Sequence, residues 1–145
     1  TTFLPYPDFL QVYDAVESEI PLSLIEWGNA AGIIIDEVLN RNAGGGALLL
    51  RNLTFISTSK EFSVFWKSCC NSSALMDPAY YVPFGANGEQ DDRIYLATNI
   101  PANKVFSCHN EMAYNPKPPG KIALFCVQDA FEGGESILAQ NNILT

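Results

Sequence analysis

Residues 109–136 read HNEMAYNPKPPGKIALFCVQDAFEGGES, and this stretch decides how the chain is interpreted. Its apolar run at 121–127 follows two prolines and a glycine, which predicts a buried strand. If the chain is also extended where the stretch begins, His109 and Glu111 lie two residues apart on one face. An imidazole and a carboxylate on one face can supply two of the three ligands of a two-histidine, one-carboxylate iron site.

The H-x-E triplet has an ordinary interpretation beside the chemical one. A lone triplet of this kind is common by chance, and a single histidine is more often a surface residue or a hydrogen-bonded one than a metal ligand. Ser136, the hydroxyl residue that closes the stretch, can equally be the ordinary start of a short strand. Taken alone, the triplet therefore favours a surface histidine, and the surrounding sequence has to decide.

Two helices are predicted upstream of this stretch. Apolar residues from 22 to 39 recur at three- and four-residue steps, a helical spacing that the glycines at 44–46 end. The short apolar run at 47–50 predicts a buried strand. Thr58 and Glu61 have the spacing of a capping box, which predicts the start of a second helix. The apolar stripe of that helix is assigned to the core and consists of Phe62, Phe65, Trp66 and Cys69.

The remaining predicted elements complete an α+β pattern. A short helix is predicted near 9–17 and strands at 93–98, 104–108 and 136–139, with a turn at the glycines 133–134. Helices first and strands with short turns afterwards indicate an α+β fold with a mainly antiparallel sheet, in a single domain over 1–145. A jelly-roll barrel uses about eight strands. We therefore expect these residues to form the N-terminal part of a larger domain.

Composition excludes several classes of protein. Hydrophobic residues make up 48% and charged residues 17% of the chain, values that exclude intrinsic disorder. The net charge of −8 argues against a nucleic-acid partner, because phosphate binding needs a basic face. No apolar run approaches a membrane span, and no signal peptide is visible. The four cysteines follow no metal-binding or disulfide spacing, so we expect reduced thiols and a cytoplasmic location.

The quoted stretch resembles the taurine dioxygenase and clavaminate synthase-like family of iron(II)/2-oxoglutarate-dependent oxygenases. In that family an H-x-D/E pair is followed by a proline-led strand and a G-G-D/E-T/S turn, the order found in 109–136. Upstream, residues 46–51 are similar to the family's early G-x-hydrophobic-R-G strand, with Asn52 where glycine is usual. The resemblance implies a double-stranded β-helix, or jelly-roll, of which this chain supplies the N-terminal helices and first strands.

The resemblance also implies roles for three residues. His109 and Glu111 match the first two ligands of Fe(II), and Ser136 matches the hydroxyl residue that helps to hold a carboxylate of 2-oxoglutarate. Two elements of the family pattern are missing, because its third ligand is a later histidine and its 2-oxoglutarate arginine also lies downstream. His109 is the only histidine of this chain. The sequence shown is therefore expected to supply an incomplete site.

Two functions remain open at this point. The first is oxidation of a small organic, amino-acid-like substrate by hydroxylation or a related C–H oxidation. The carboxylate of Glu111 favours it, since halogenating relatives carry a small residue there. The second is a non-catalytic jelly-roll module that binds a ligand or takes part in assembly while keeping the family scaffold. Loss of iron binding in His109→Ala separates the two, because only the oxygenase depends on it.

Overall fold

The computed structural model describes residues 10–15, 22–41, 46–70, 101, 103–105, 107–111, 114, 116 and 120–139. Its regular elements follow the order β1 (Leu10–Asp14), α1 (Leu24–Arg41), β2 (Ala47–Arg51) and α2 (Ser59–Cys69). The α+β class is as predicted, and so are both helices and the second strand. The strand predicted at 93–98 lies outside the described residues.

The short helix predicted near 9–17 is wrong, because β1 occupies this position. Val12 and Tyr13 are residue types that favour extended backbone, and exposure alternates along β1 with a period of two. β1 pairs with β2 in parallel, from Leu10 opposite Ala47 to the last pair at the ends of the strands. The expected mainly antiparallel sheet is thus not what the described residues form. A parallel pair needs a crossover connection, and α1 provides it.

Both helices begin at capping boxes. The backbone N–H and hydroxyl of Ser23 donate to the Glu26 carboxylate at 2.8 and 2.7 Å, and the Glu26 N–H donates back to the Ser23 hydroxyl. Thr58 and Glu61 repeat the arrangement at α2, which confirms the predicted box. Hydrogen bonds from Ser23 lower the pKa of Glu26, and hydrogen bonds from Ser57, then Thr58, lower that of Glu61.

The two helices pack closely because glycines line their contact. A Cβ atom at Gly28 would lie 2.5 Å from the Phe65 carbonyl oxygen, and one at Gly32 would lie 2.5 Å from that of Cys69. No side chain fits at either place, so the backbones approach directly. The core forms around this contact and includes Ala31, Ile35, Ile56, Phe62, Phe65 and Cys69. The apolar stripe predicted for α2 is therefore confirmed as core, with Trp66 packed against it.

The strands predicted at 104–108, 121–127 and 136–139 are not formed by the described residues there. A strand requires a hydrogen-bonded neighbour, and within the described parts of the chain none pairs with these segments. The segment 121–125 nevertheless alternates, with half-buried Lys121 and Phe125 and exposed Ile122 and Leu124. The described residues thus contain no barrel. Neither described helix is long and apolar enough to cross a membrane.

Candidate functional site

His109 and Glu111 lie next to each other in the structure. The Nε2 atom of His109 is 3.9 Å from the Oε2 atom of Glu111. The strand predicted to align them is absent, since His109 lies in irregular backbone and Glu111 in a turn. The strand was expected to place both side chains on one face. The turn instead brings the carboxylate of Glu111 towards the imidazole of His109. The side chains remain 46% and 35% exposed, so an ion from solvent can reach both.

A backbone carbonyl orients the imidazole of His109. The Nδ1 atom lies 2.9 Å from the carbonyl oxygen of Ser107, which can only accept a hydrogen bond. In the neutral imidazole this contact places the proton on Nδ1 and leaves Nε2, the atom that faces Glu111, able to bind a metal. Metal-binding histidines are commonly fixed by such a bond from the second ring nitrogen. Sequence reasoning missed Ser107, because a backbone carbonyl leaves no signature in residue type.

The pair has the donor types of a metal site. Neutral imidazole and carboxylate are the donor types of the facial iron site. With bonds of about 2.1 Å, two ligand atoms at a tetrahedral angle lie about 3.4 Å apart and two in a straight line about 4.2 Å. The separation of 3.9 Å between Nε2 and Oε2 lies between these distances, so the two partly exposed side chains would have to move closer together to hold one ion at the usual angle. No group of three potential metal ligands occurs among the described residues, so the pair offers two ligands.

Ser136, the third residue of the predicted site, is exposed within irregular backbone. The glycines before it, Gly133 and Gly134, have φ angles of 75° and 84°, left-handed conformations suited to the predicted turn. The structure therefore brings together two of the three predicted site residues.

The two buried cysteines contribute no nucleophile. All four are free, as predicted, and Cys69 and Cys70 are buried in the core. Burial raises the pKa of the Cys69 thiol to about 12, so the thiolate that would react is not populated near neutral pH. Cys108, beside His109 in the chain, is exposed. The chemically significant groups here are therefore the imidazole, the carboxylate and the neighbouring Cys108 thiol.

Three polar side chains contact one another at the carboxyl ends of β1 and β2. Arg51 Nε lies 3.1 Å from the Asp14 carboxylate, to which the amide of Asn52 donates at 3.0 Å. Asn52 has φ of 60°, in the left-handed region where glycine is the usual residue. This geometry explains how asparagine can stand where the resembling family has glycine, since asparagine tolerates that region best among side-chain-bearing residues.

Comparison with known proteins agrees with the resemblance. Residues 11–141 match the family described as "Taurine catabolism dioxygenase TauD, TfdA family". The chain is also 31% identical over 108 residues to the "Dapdiamide synthesis protein DdaC" of Enterobacter agglomerans. That alignment covers 74% of this chain and 30% of the relative, so the chain spans less than a third of its length. No solved structure gives a significant match. The chain therefore belongs to the TauD/TfdA family, whose members are iron(II)- and 2-oxoglutarate-dependent dioxygenases.

Proposed function

We propose that this chain is the N-terminal part of a larger jelly-roll oxygenase and carries two of its three iron ligands, His109 and Glu111. One observation carries the proposal: the Nε2 atom of His109 lies 3.9 Å from the carboxylate of Glu111 in a chain of this family. The third ligand and the arginine for 2-oxoglutarate come from sequence outside these residues, since His109 is the only histidine here.

Each residue has a separate task in this proposal. The Ser107 carbonyl accepts a hydrogen bond from the Nδ1–H of His109 and so selects the neutral tautomer whose Nε2 can bind the metal. Glu111 supplies an anionic oxygen, and Ser136 donates its hydroxyl proton to a carboxylate oxygen of 2-oxoglutarate. Bound iron(II) supplies the oxidative chemistry, in which oxygen and 2-oxoglutarate yield succinate, carbon dioxide and an oxidised substrate.

The substrate is proposed to be a small organic molecule of amino-acid type, oxidised at a C–H bond by hydroxylation or a related reaction. The carboxylate at Glu111 supports this outcome over halogenation. The relative's place in dapdiamide synthesis supports small-molecule chemistry. Free thiols at all four cysteines support a cytoplasmic location.

Iron binding under anaerobic conditions tests the site assignment. The intact mass of the natural polypeptide is measured first by mass spectrometry. A mass above 15.9 kDa means that further residues are present, which can include the third iron ligand and the arginine for 2-oxoglutarate. Iron(II) is then titrated by calorimetry, with 2-oxoglutarate added afterwards. We expect His109→Ala and Glu111→Gln to weaken iron affinity by at least about tenfold. Ser136→Ala should weaken the affinity for 2-oxoglutarate and leave that for iron unchanged.

Glu132 provides the matched control. It is an exposed carboxylate on the same half of the chain, so Glu132→Gln removes equal charge and should leave iron affinity unchanged. Iron affinity that survives in His109→Ala would contradict the assignment. So would an equal loss in Glu132→Gln, because the effect would then be one of net charge.

A second candidate is the non-catalytic jelly-roll module. It applies if the full-length protein supplies no second histidine to the site, because a complete facial site needs two. For this module we expect no succinate from 2-oxoglutarate in the wild type and unchanged ligand affinity in His109→Ala. Succinate formation that disappears in His109→Ala would exclude it.

A further inference from the structure

In the described part of the chain, the segment 121–125 lies with one face against the helices. Among described residues from 101 to 139, those that are half-buried are Glu111 and three residues of the segment, namely Lys121, Ala123 and Phe125. Ala123 and Phe125 pack against the core, and the Phe125 ring stacks on Phe62 with centroids 4.7 Å apart. The inward face of this segment therefore attaches the second half of the chain to the first.

Burial of apolar side chains alone does not decide which of the two faces of this segment packs against the helices. A slip of one residue would turn the inward residues outward and bring Ile122, Leu124 and Cys126 onto the helices. The faces are similarly apolar, since Ile122 and Leu124 would take the places of Ala123 and Phe125. Ile122 and Leu124 are 52% and 64% exposed in the observed register, so their burial would favour the slipped one.

One contact belongs to the observed register alone. The ammonium group of Lys121 donates to the carboxylate of Asp36 on α1, and its side chain is only 26% exposed. In the slipped register Lys121 would point away, and no other cation of the segment could replace it. A polar pair that has only one satisfied arrangement can fix register even where it adds little stability.

We infer that the ion pair of Lys121 and Asp36 fixes the register in which the segment 121–125 lies on the helices. This inference goes beyond the proposed oxygenase and does not require iron. Its consequence for the site, which rests on the proposed function, is that the pair fixes how the chain between Glu111 and Ser136 is attached to the helices, because the segment lies between these two residues in the sequence.

Cys126 reports the register directly. It is exposed on the outward face and would turn inward after a slip, whereas Cys69 and Cys70 are buried and stay unreactive. The second exposed thiol is removed by working in a Cys108→Ser background. The rate of maleimide labelling at Cys126, located by peptide mass, then measures the fraction of molecules in the observed register.

Lys121→Met keeps the apolar stem and removes the charge. We expect it to lower the Cys126 labelling rate to about half or less, since two registers of similar burial become comparably populated. Asp36→Asn should act in the same direction. The exchange Asp36→Lys with Lys121→Asp restores the pair in reverse and should restore the rate. Lys104→Met removes an exposed lysine of the same half and should change nothing.

Two outcomes would overturn the inference. An unchanged Cys126 rate in Lys121→Met would mean that apolar packing fixes the register. Labelling of Cys69 and Cys70 in that variant would mean that the pair maintains the fold instead. Lys121→Arg keeps the positive charge, so in the same Cys108→Ser background it should retain the Cys126 labelling rate of the unsubstituted segment. Since labelling is done without iron, failure of the proposed function would leave this result intact, and the reverse also holds.

Discussion

The side-chain amide of Asn52 donates a hydrogen bond to Asp14 at 3.0 Å, although 38 positions separate the two residues. The bond joins the carboxyl ends of β1 and β2, where Arg51 also reaches Asp14. Asn52 thus combines a left-handed backbone with a cross-strand contact, and glycine could provide only the first.

Substitution of Asn52 should separate these two contributions. Asn52→Ala loses the hydrogen bond and forces a Cβ-bearing residue without local polar compensation into φ of 60°, so we expect a loss of about 1–2 kcal/mol in the free energy of unfolding. Asn52→Gly loses only the bond and should cost about 1 kcal/mol or less. Urea denaturation measures both. Equal losses in the two variants would show that the backbone conformation is unimportant.

The close contact between α1 and α2 predicts that a glycine-to-alanine substitution in α1 lowers the free energy of unfolding, where such a substitution usually raises it. In an exposed helix such a change stabilises by about 1 kcal/mol through propensity. At Gly32 the new Cβ would meet the Cys69 carbonyl at 2.5 Å, so we expect destabilisation of about 1–3 kcal/mol instead. Gly120→Ala is the control, because a Cβ there meets nothing within 4 Å. Thermal unfolding of the two variants compares them, and a stabilised Gly32→Ala would contradict the close contact.

The N-cap of α2 should contribute measurably to the free energy of unfolding. The hydroxyl of Thr58 accepts the Glu61 N–H at 3.2 Å, which satisfies one of the otherwise unpaired amides of the first turn. We expect Thr58→Ala to lower the free energy of unfolding by about 1 kcal/mol. Thr54→Ala, at an exposed turn position before the helix, should lie within about 0.5 kcal/mol of wild type. Similar losses in both variants would argue against a specific cap.

The capping carboxylates predict a loss of stability in acid. Hydrogen bonds from Ser57 and Thr58 hold the pKa of Glu61 below its ordinary value, and Ser23 does the same for Glu26. A carboxyl with a lowered native pKa contributes stability above its unfolded pKa, about 4.3 for glutamate, and that contribution is lost as the pH falls through the lowered native pKa.

Glu61→Gln should therefore differ most from wild type near neutral pH. The difference between their urea midpoints should shrink as the pH is lowered from about 7 to about 3, because the wild-type carboxylate becomes protonated. Glu26→Gln should show the same pattern. Glu132→Gln, an exposed carboxylate away from the helix starts, serves as the control. A difference that grows in acid would refute the assigned direction of the pKa shift.

Local sequence signals predicted the helices well and the sheet poorly. The capping box at Thr58 and the apolar stripe of α2 are short-range patterns, and both were found as predicted. β1 was mistaken for a helix because five residues carry little periodicity to distinguish the two. That error concealed the strand–helix–strand order, and with it the parallel pairing. The approach of Gly32 to Cys69 depends on tertiary contact, which no local pattern encodes.

For the site, the residue types were predicted and the local structure was not. His109 and Glu111 meet as the triplet suggested, through a turn where a strand was expected. The carbonyl that orients the imidazole and the ion pair of Lys121 with Asp36 were both missed, because one involves only backbone and the other joins residues 85 positions apart. The roles proposed for His109, Glu111 and Ser136 remain predictions.

Among the described residues, β1 pairs with β2 and α1 packs against α2, all within the first seventy residues of the chain. The strand pairing spans 37 positions, from Leu10 to Ala47, whereas the ion pair that attaches the later segment 121–125 spans 85, so less loop-closure entropy opposes the N-terminal contacts. We therefore expect this N-terminal unit to form the folding nucleus, before the H-x-E triplet is in place. Iron would then bind to an N-terminal unit that is already folded. Removal of iron should therefore abolish the proposed activity and leave the helical content unchanged.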